Sequence, residues 1–163
     1  MTADQVKSLL GLQPHPREGG FYVRTYESAE MVSLPRYPAD RRTGTAIYYL
    51  LEPNTFSEMH RLQSDEIFHF YAGDPVEMLQ LPDCRPGQIV VLGNRLAMGD
   101  QPQVVVPRGV WQGSRLRPGG QWALLGCTVS PGFEFEDYEG GDRTQLTTAW
   151  PHWAQMITAL THP

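Results

Sequence analysis

The chain has 163 residues, 40% hydrophobic and 19% charged, and its thirteen basic against eighteen acidic side chains leave a net charge of −5. That length implies a single domain spanning residues 1–163, and at this size roughly 70% of the unfolded surface is buried on folding, so a core forms without disulfides or metals. The composition excludes a disordered chain, and the acidic balance lacks the basic stripe that a nucleic-acid backbone demands.

At the start, Thr2 followed by Gln5 is a capping-box pattern, and Val6, Leu9 and Leu10 give an apolar stripe ending at Gly11. This predicts a short N-terminal helix. Asp4 and Lys7 interrupt the stretch where a secretory signal would be uniformly apolar, and the longest apolar run, residues 46–51, is far short of the ~20 residues that span a bilayer. A cytoplasmic protein with no membrane partner is expected. Cys84 and Cys127 lie in different segments without a CxxC spacing, so both are read as free thiols.

Segments 21–26, 45–51, 56–62, 66–71, 76–81, 88–92, 103–106 and 121–129 are short and rich in strand formers, with Gly, Pro, Asn and Asp between them. With no helices alternating among them, they predict an all-β sandwich or double-sheet jelly roll. Residues 28–43 form the one long loop, read as a flap or an oligomer arm. After Thr147-Thr148, Trp150, Trp153, Met156, Ile157 and Leu160 recur at helical spacing, a C-terminal helix with Pro151 in its first turn.

Strand alternation then sorts side chains by face. A strand over 56–62 puts His60 and Leu62 together with Glu58, and a strand from Asp65 puts Glu66, Phe68 and Phe70 on one face and Ile67, His69 and Tyr71 on the other. Gln112 follows the turn Pro107-Arg108-Gly109. His60, Glu66 and Gln112 are therefore expected to point into one pocket, a set able to hold a metal weakly or to do acid–base chemistry without one. An inward carboxylate is costly unless paired, and a structural ion pair of Glu66 with Arg61 or Arg24 is the competing reading. His69 is read as a subunit contact or satisfied core residue, and Glu134, Glu136 and Asp137 as a solvated strand edge. His15 and Glu18, in a Pro/Gly loop, fit a turn as well as a pocket.

Glu66 followed after six residues by Gly73 resembles the second half of the first cupin motif, H-x-H, three or four residues, E, six residues, G; His60 takes the first histidine position and Leu62 the second. Pro107 to Gln112 is similar to the second motif, P-x-G-x-x-H, with Gln112 in the final histidine's place. More closely, the chain resembles a small cupin-like family, a domain of unknown function also known as the fifth cupin group. The stretches that carry this include His15-Pro16 with Glu18-Gly19-Gly20, Tyr48-Tyr49-Leu50-Leu51, Ser64-Asp65-Glu66, Gly126-Cys127-Thr128-Val129 and Pro131-Gly132-Phe133-Glu134-Phe135. Arg17 departs from that family's tighter HPEGG.

The resemblance implies a double-stranded β-helix, a jelly-roll cupin-like barrel with short terminal helices, usually dimeric and with a small-molecule pocket. Cupin metal sites gather three histidines and a glutamate; with Leu62 and Gln112 in two of those places, no tightly bound metal is expected, and His60, Glu66 and Gln112 are the ligands for a weakly held divalent ion. The metal-free alternative is similar to cupin-fold sugar epimerases. There His60 is the base, Glu66 the orienting or acidic group, and Tyr22, Tyr26 or Tyr49 the acid, with Gln112, Phe68, Phe70, Tyr49 and Tyr26 contacting the ligand. The expected function is binding of a small polar metabolite, a sugar or nucleotide-sugar, with isomerase or epimerase chemistry. A non-catalytic sensor and metal-dependent oxygen chemistry are the alternatives. A homodimer is expected, with strand 21–26 reaching the second subunit.

Overall fold

A computed structural model describes residues 1–162, and its first element follows from the opening residues. Thr2 Oγ1 accepts the Gln5 backbone N–H at 3.3 Å and Gln5 Oε1 accepts the Thr2 N–H at 2.9 Å, closing the capping box of α1 (Ala3–Leu10). Gly11 ends the helix at φ 66°, a left-handed conformation that glycine adopts without a steric penalty.

The strands are β1 (Gln13–Pro14), β2 (Phe21–Glu27), β3 (Met31–Val32), β4 (Arg41–Arg42), β5 (Thr45–Leu51), β6 (Phe56–Arg61), β7 (Asp65–Gly73), β8 (Val76–Leu81), β9 (Gln88–Leu92), β10 (Gln103–Val106), β11 (Trp111–Leu116), β12 (Ala123–Ser130) and β13 (Glu139–Gly140). One sheet runs β1-β2-β5-β12-β7-β10 and the other β13-β6-β11-β8-β9, while β3 and β4 form a separate ribbon. β12 lies between β5 and β7, and β11 between β6 and β8. This is jelly-roll wiring. Hydrogen bonding leaves the two sheets separate, so the expected barrel is a sandwich with open seams.

Three apolar layers explain the burial patterns. Between the sheets, Tyr49, Phe68, Phe70, Leu125 and Cys127 from the first meet Val76, Met78, Val90, Leu92 and Leu116 from the second. Helix α1 covers part of the first sheet's outer face through Val6 against Leu50, Phe21 and Trp122. The C-terminal helices cover the second sheet's outer face, where Met59, Leu79, Leu81 and Trp111 meet Leu146, Met156, Ile157 and Leu160. Covered on both faces, β8 and β11 are almost continuously buried, whereas β7 alternates.

Several expectations change here. β11 does not read as a strand in the sequence, because Gln112, Gly113 and Ser114 are weak strand formers; burial between two layers holds it extended. The C-terminal helix is two helices, α2 (Arg143–Ala149) and α3 (Ala154–Ala159), joined by a 3₁₀ turn over Pro151–Trp153. Trp150 leaves helical geometry at φ −126° and ψ 67°, as the residue before a proline tends to. Strand β2 pairs with β5, and with β1 only at Phe21 and Tyr22.

Loop 28–43 is likewise not a free flap. Tyr37 Oη lies 2.6 Å from Ser64 Oγ and donates to Gln63 O at 3.0 Å. Arg41, 2% exposed, donates to both Asp137 oxygens at 3.0 and 2.9 Å and to Glu136 at 2.5 Å. Asp137 is thus a buried partner rather than part of a solvated edge, while Glu136 keeps an exposed side. Removing one member of a buried, bidentate pair leaves the other charge uncompensated. Asp137→Ala is expected to cost about 3 kcal/mol, read as a lower urea midpoint at unchanged slope; a loss under about 0.5 kcal/mol would show that this pair does not anchor the loop.

Candidate functional site

The inward set forms because two strands of one sheet and one of the other meet at the same level. His60 on β6 stands opposite Gln112 on β11 in register, and the register shifts just beyond Gln112. Glu66 reaches across from β7, flanked by Val106 and Val129. All three are buried, at 1%, 6% and 1% exposure for His60, Glu66 and Gln112. Gln112 Nε2 lies 2.8 Å from His60 Nε2 and 3.0 Å from Glu66 Oε2, and His60 Nε2 stands 3.8 Å from the same carboxylate oxygen. The imidazole is fixed at its other edge, where Nδ1–H donates to Glu58 O at 2.7 Å, and along its face, where Tyr138 stacks at 4.9 Å.

Cys127, which sequence reasoning missed, and His15 and Glu18, which it left open between a turn and a pocket, complete the site. The Cys127 thiol donates to Glu66 Oε1 at 2.6 Å. Glu18 is buried, and its Oε1 accepts from Ser57 Oγ at 2.5 Å. His15 accepts the Glu18 backbone N–H on Nδ1 at 2.8 Å, which places its ring hydrogen on Nε2, 3.9 Å from Glu18 Oε2. His15, Glu18, His60, Leu62, Glu66 and Cys127 line one cavity with Tyr22, Arg24, Phe133 and Phe135. Its volume is about 30 Å³, room for about two waters.

Other expected contacts fall elsewhere. Phe68 and Phe70 do share Glu66's face but pack in the core without lining the cavity. Tyr49 is fully buried, and its hydroxyl donates to Gly19 O at 2.8 Å, so it braces the Glu18 loop from outside the cavity. Tyr26 is 55% exposed. Its parity matches Tyr22 and Arg24, but β2 slips register against β5 between Arg24 and Tyr26, which turns Tyr26 outward. Of the three candidate tyrosines, Tyr22 is the one at the cavity. Arg61 pairs with Glu139 and Arg24 with Glu27, so neither neutralises Glu66. His69 sits on the outer face between Gln103 and Thr128.

The electrostatics divide the two histidines. Burial lowers His15 to about 4, and His60 nearby pushes the same way. Burial would also lower His60, but the charges of Glu18 and Glu66 and the bond to Glu58 O outweigh it and bring the imidazole up to about 9. Burial beside Glu66 raises Glu18. Burial and the Glu66 charge likewise raise the Cys127 thiol. One cue opposes a charged His60, since an amide nitrogen 2.8 Å away wants a bare Nε2. Turning the amide over resolves it: Gln112 Oε1, buried without a partner as placed, then accepts from Nε2–H, at the cost of the amide's bond to Glu66. Two fixed carboxylates outweigh one rotatable amide, and His60 is assigned the proton at neutral pH.

Two antiparallel sheets closing over such a polar pocket define a cupin fold. The family described as Cupin superfamily (DUF985) matches residues 4–140, and the chain belongs to it. A hypothetical protein from Leishmania major is similar at 32% identity and TM-score 0.92, with 100% of both chains covered. A protein from Shewanella oneidensis is similar at 34% identity and TM-score 0.89, covering 100% of this chain and 99% of that one. Oxalate decarboxylase from Bacillus subtilis shares the fold alone, at 12% identity and TM-score 0.54 over 92% of this chain and 37% of that one. Among curated proteins, none matches.

Among the described residues, no group of three or more His, Cys, Asp or Glu side chains is arranged to hold a metal ion. No helix among them is long and apolar enough to cross a membrane.

Because the folded pKa of His60 lies at about 9 against an ordinary 6.5, its contribution to stability is complete below pH 6.5 and lost as pH rises through 9. The full effect is about 3 kcal/mol. Thermal unfolding across that interval should show the native protein losing stability, with His60→Gln flattening the decline. An equally steep decline in the variant would assign the alkaline loss to other groups.

Proposed function

We propose that this chain binds a small, uncharged polar metabolite in the inter-sheet cavity and moves a proton on it without a metal. The observation that carries this reading is the enclosure of the Glu18 and Glu66 carboxylates and the His15 and His60 imidazoles around one cavity. Burying such groups costs stability, and sites that accept the cost are concentrated where pKa values are tuned for chemistry.

The roles differ from those suggested by the epimerase resemblance. An imidazole at about 9 is protonated at neutral pH, so His60 acts as acid and hydrogen-bond donor. The carboxylates of Glu66 and Glu18 are the proton acceptors. Tyr22 and the Phe133–Phe135 wall position the ligand, and Arg24 stands at the mouth. A cavity of about 30 Å³ admits a group of only a few non-hydrogen atoms, which favours a small hydroxy-carbonyl compound. A sugar ring would enter only with the phenylalanine wall displaced.

The test is exchange of carbon-bound hydrogen for deuterium, followed by NMR, over a panel of small hydroxy-aldehydes and hydroxy-ketones. The native protein should catalyse exchange that survives a metal chelator, and His60→Gln or Glu66→Gln should each slow it about 100-fold or more. Exchange that is absent across the panel, unchanged in both variants, or restored only by added metal would refute the proposal.

A further inference from the structure

We infer that an open cleft beside the β10–β11 turn is a second binding site, one that takes the phosphoryl group of a small phosphate ester. The cleft has a volume of about 650 Å³ and is lined by Arg36, Arg61 and Arg108 with Glu136, Asp137 and Glu139. Its charges are not equivalent. Glu139 holds Arg61 bidentately at 2.7 and 2.9 Å, and Arg41 behind the wall holds Glu136 and Asp137. Among the described residues, neither Arg36 nor Arg108 has a carboxylate oxygen within 4.0 Å of its guanidinium. The nearby Asp65 carboxylate is engaged by the Arg108 backbone N–H at 2.9 Å. Among the described residues, Arg36 and Arg108 thus line one cleft with no side-chain hydrogen bond or carboxylate partner.

Both are presented from anchored backbone. Arg36 packs its guanidinium on the Tyr37 ring at 4.8 Å, and Tyr37 is tied by its hydroxyl to Ser64 and Gln63. Arg108 sits in a turn pinned by Gly109 N–H to Leu62 O at 2.9 Å and by Val110 N–H to Pro107 O at 3.1 Å. Arginine forks match the oxygens of a phosphoryl group, and such charge-assisted bidentate bonds are among the stronger ones available. A dianion is the ligand able to engage both cations at once, where a monocarboxylate satisfies one. The cleft is separate from the inter-sheet cavity, although Leu62 lines both and Tyr138, which stacks on His60, forms part of the cleft wall.

The experiment is titration of the full chain with inorganic phosphate, glycerol phosphate and acetate, by calorimetry and ³¹P NMR, at ionic strength held constant with chloride. Saturable binding of both phosphates is expected, at least about tenfold weaker in the Arg36→Ala/Arg108→Ala double variant. Acetate should bind much more weakly than phosphate. Circular dichroism checks that the double variant stays folded, as two exposed substitutions should allow. His60→Gln should leave phosphate affinity within about twofold of native, so loss of the proton-transfer reading would not touch this site. No saturation, equal affinity in the double variant, or equal competition by acetate would each overturn the inference.

Discussion

The constraint on which the rest depends is the enclosure of Glu18, Glu66 and His60 between two apolar sheet faces. Water cannot solvate these groups there, so each must be held by another part of the chain. Ser57 holds Glu18, Cys127 and Gln112 hold Glu66, and the Glu58 carbonyl holds His60. Those partners come from β6, β11 and β12, so the polar centre ties both sheets across the core. The phenylalanines behind Glu66, Phe68 and Phe70, supply the dry packing that makes these contacts strong.

The same centre explains the Glu18 loop. Glu18 contributes by backbone as well as side chain, since its carbonyl accepts the Glu58 N–H at 2.9 Å. Gly19 and Gly20 take φ values of 94° and 67°, the left-handed region where a side chain would be strained. Tyr49, directed at the Gly19 carbonyl, closes the strap. A segment that reads as an irregular Pro/Gly turn is therefore fastened to β6 at the point where His60 begins to matter.

What was legible in the sequence follows from which signals are local. Strand alternation placed Glu66, Phe68 and Phe70 on one face and His69 on the other, because β7 keeps its pleat from Asp65 to Phe70, ahead of the register shift at Tyr71. The resemblance offered Tyr26 as a ligand contact, and the slipped residue that turns it outward leaves no mark in the sequence. β11 was hidden because its extended form is imposed by layers on both sides rather than by Gln112, Gly113 and Ser114 themselves. Asp137 looked solvated because its partner Arg41 lies 96 residues away in sequence. The stretch Gly126-Cys127-Thr128-Val129 carries the family resemblance without giving Cys127 a role, and only the register of β12 against β7 puts its thiol beside Glu66. Glu18 left a faint signal, a carboxylate beside two glycines.

Leu62 and Gln112 have the larger consequence. In the cupin motif that this chain resembles, those positions carry imidazoles, and imidazoles around a carboxylate make a metal site. Leu62 offers no donor at its position, and the Gln112 amide stands between His60 and Glu66, within hydrogen-bond distance of both. An amide can present either its oxygen or its NH₂ to His60, so it can follow the imidazole through both protonation states. With His60 up to about 9 under its two carboxylates, the imidazole keeps its proton at neutral pH. On the proposed reading, that retained proton is what sets this pocket's chemistry apart from a metal-loaded cupin on the same fold.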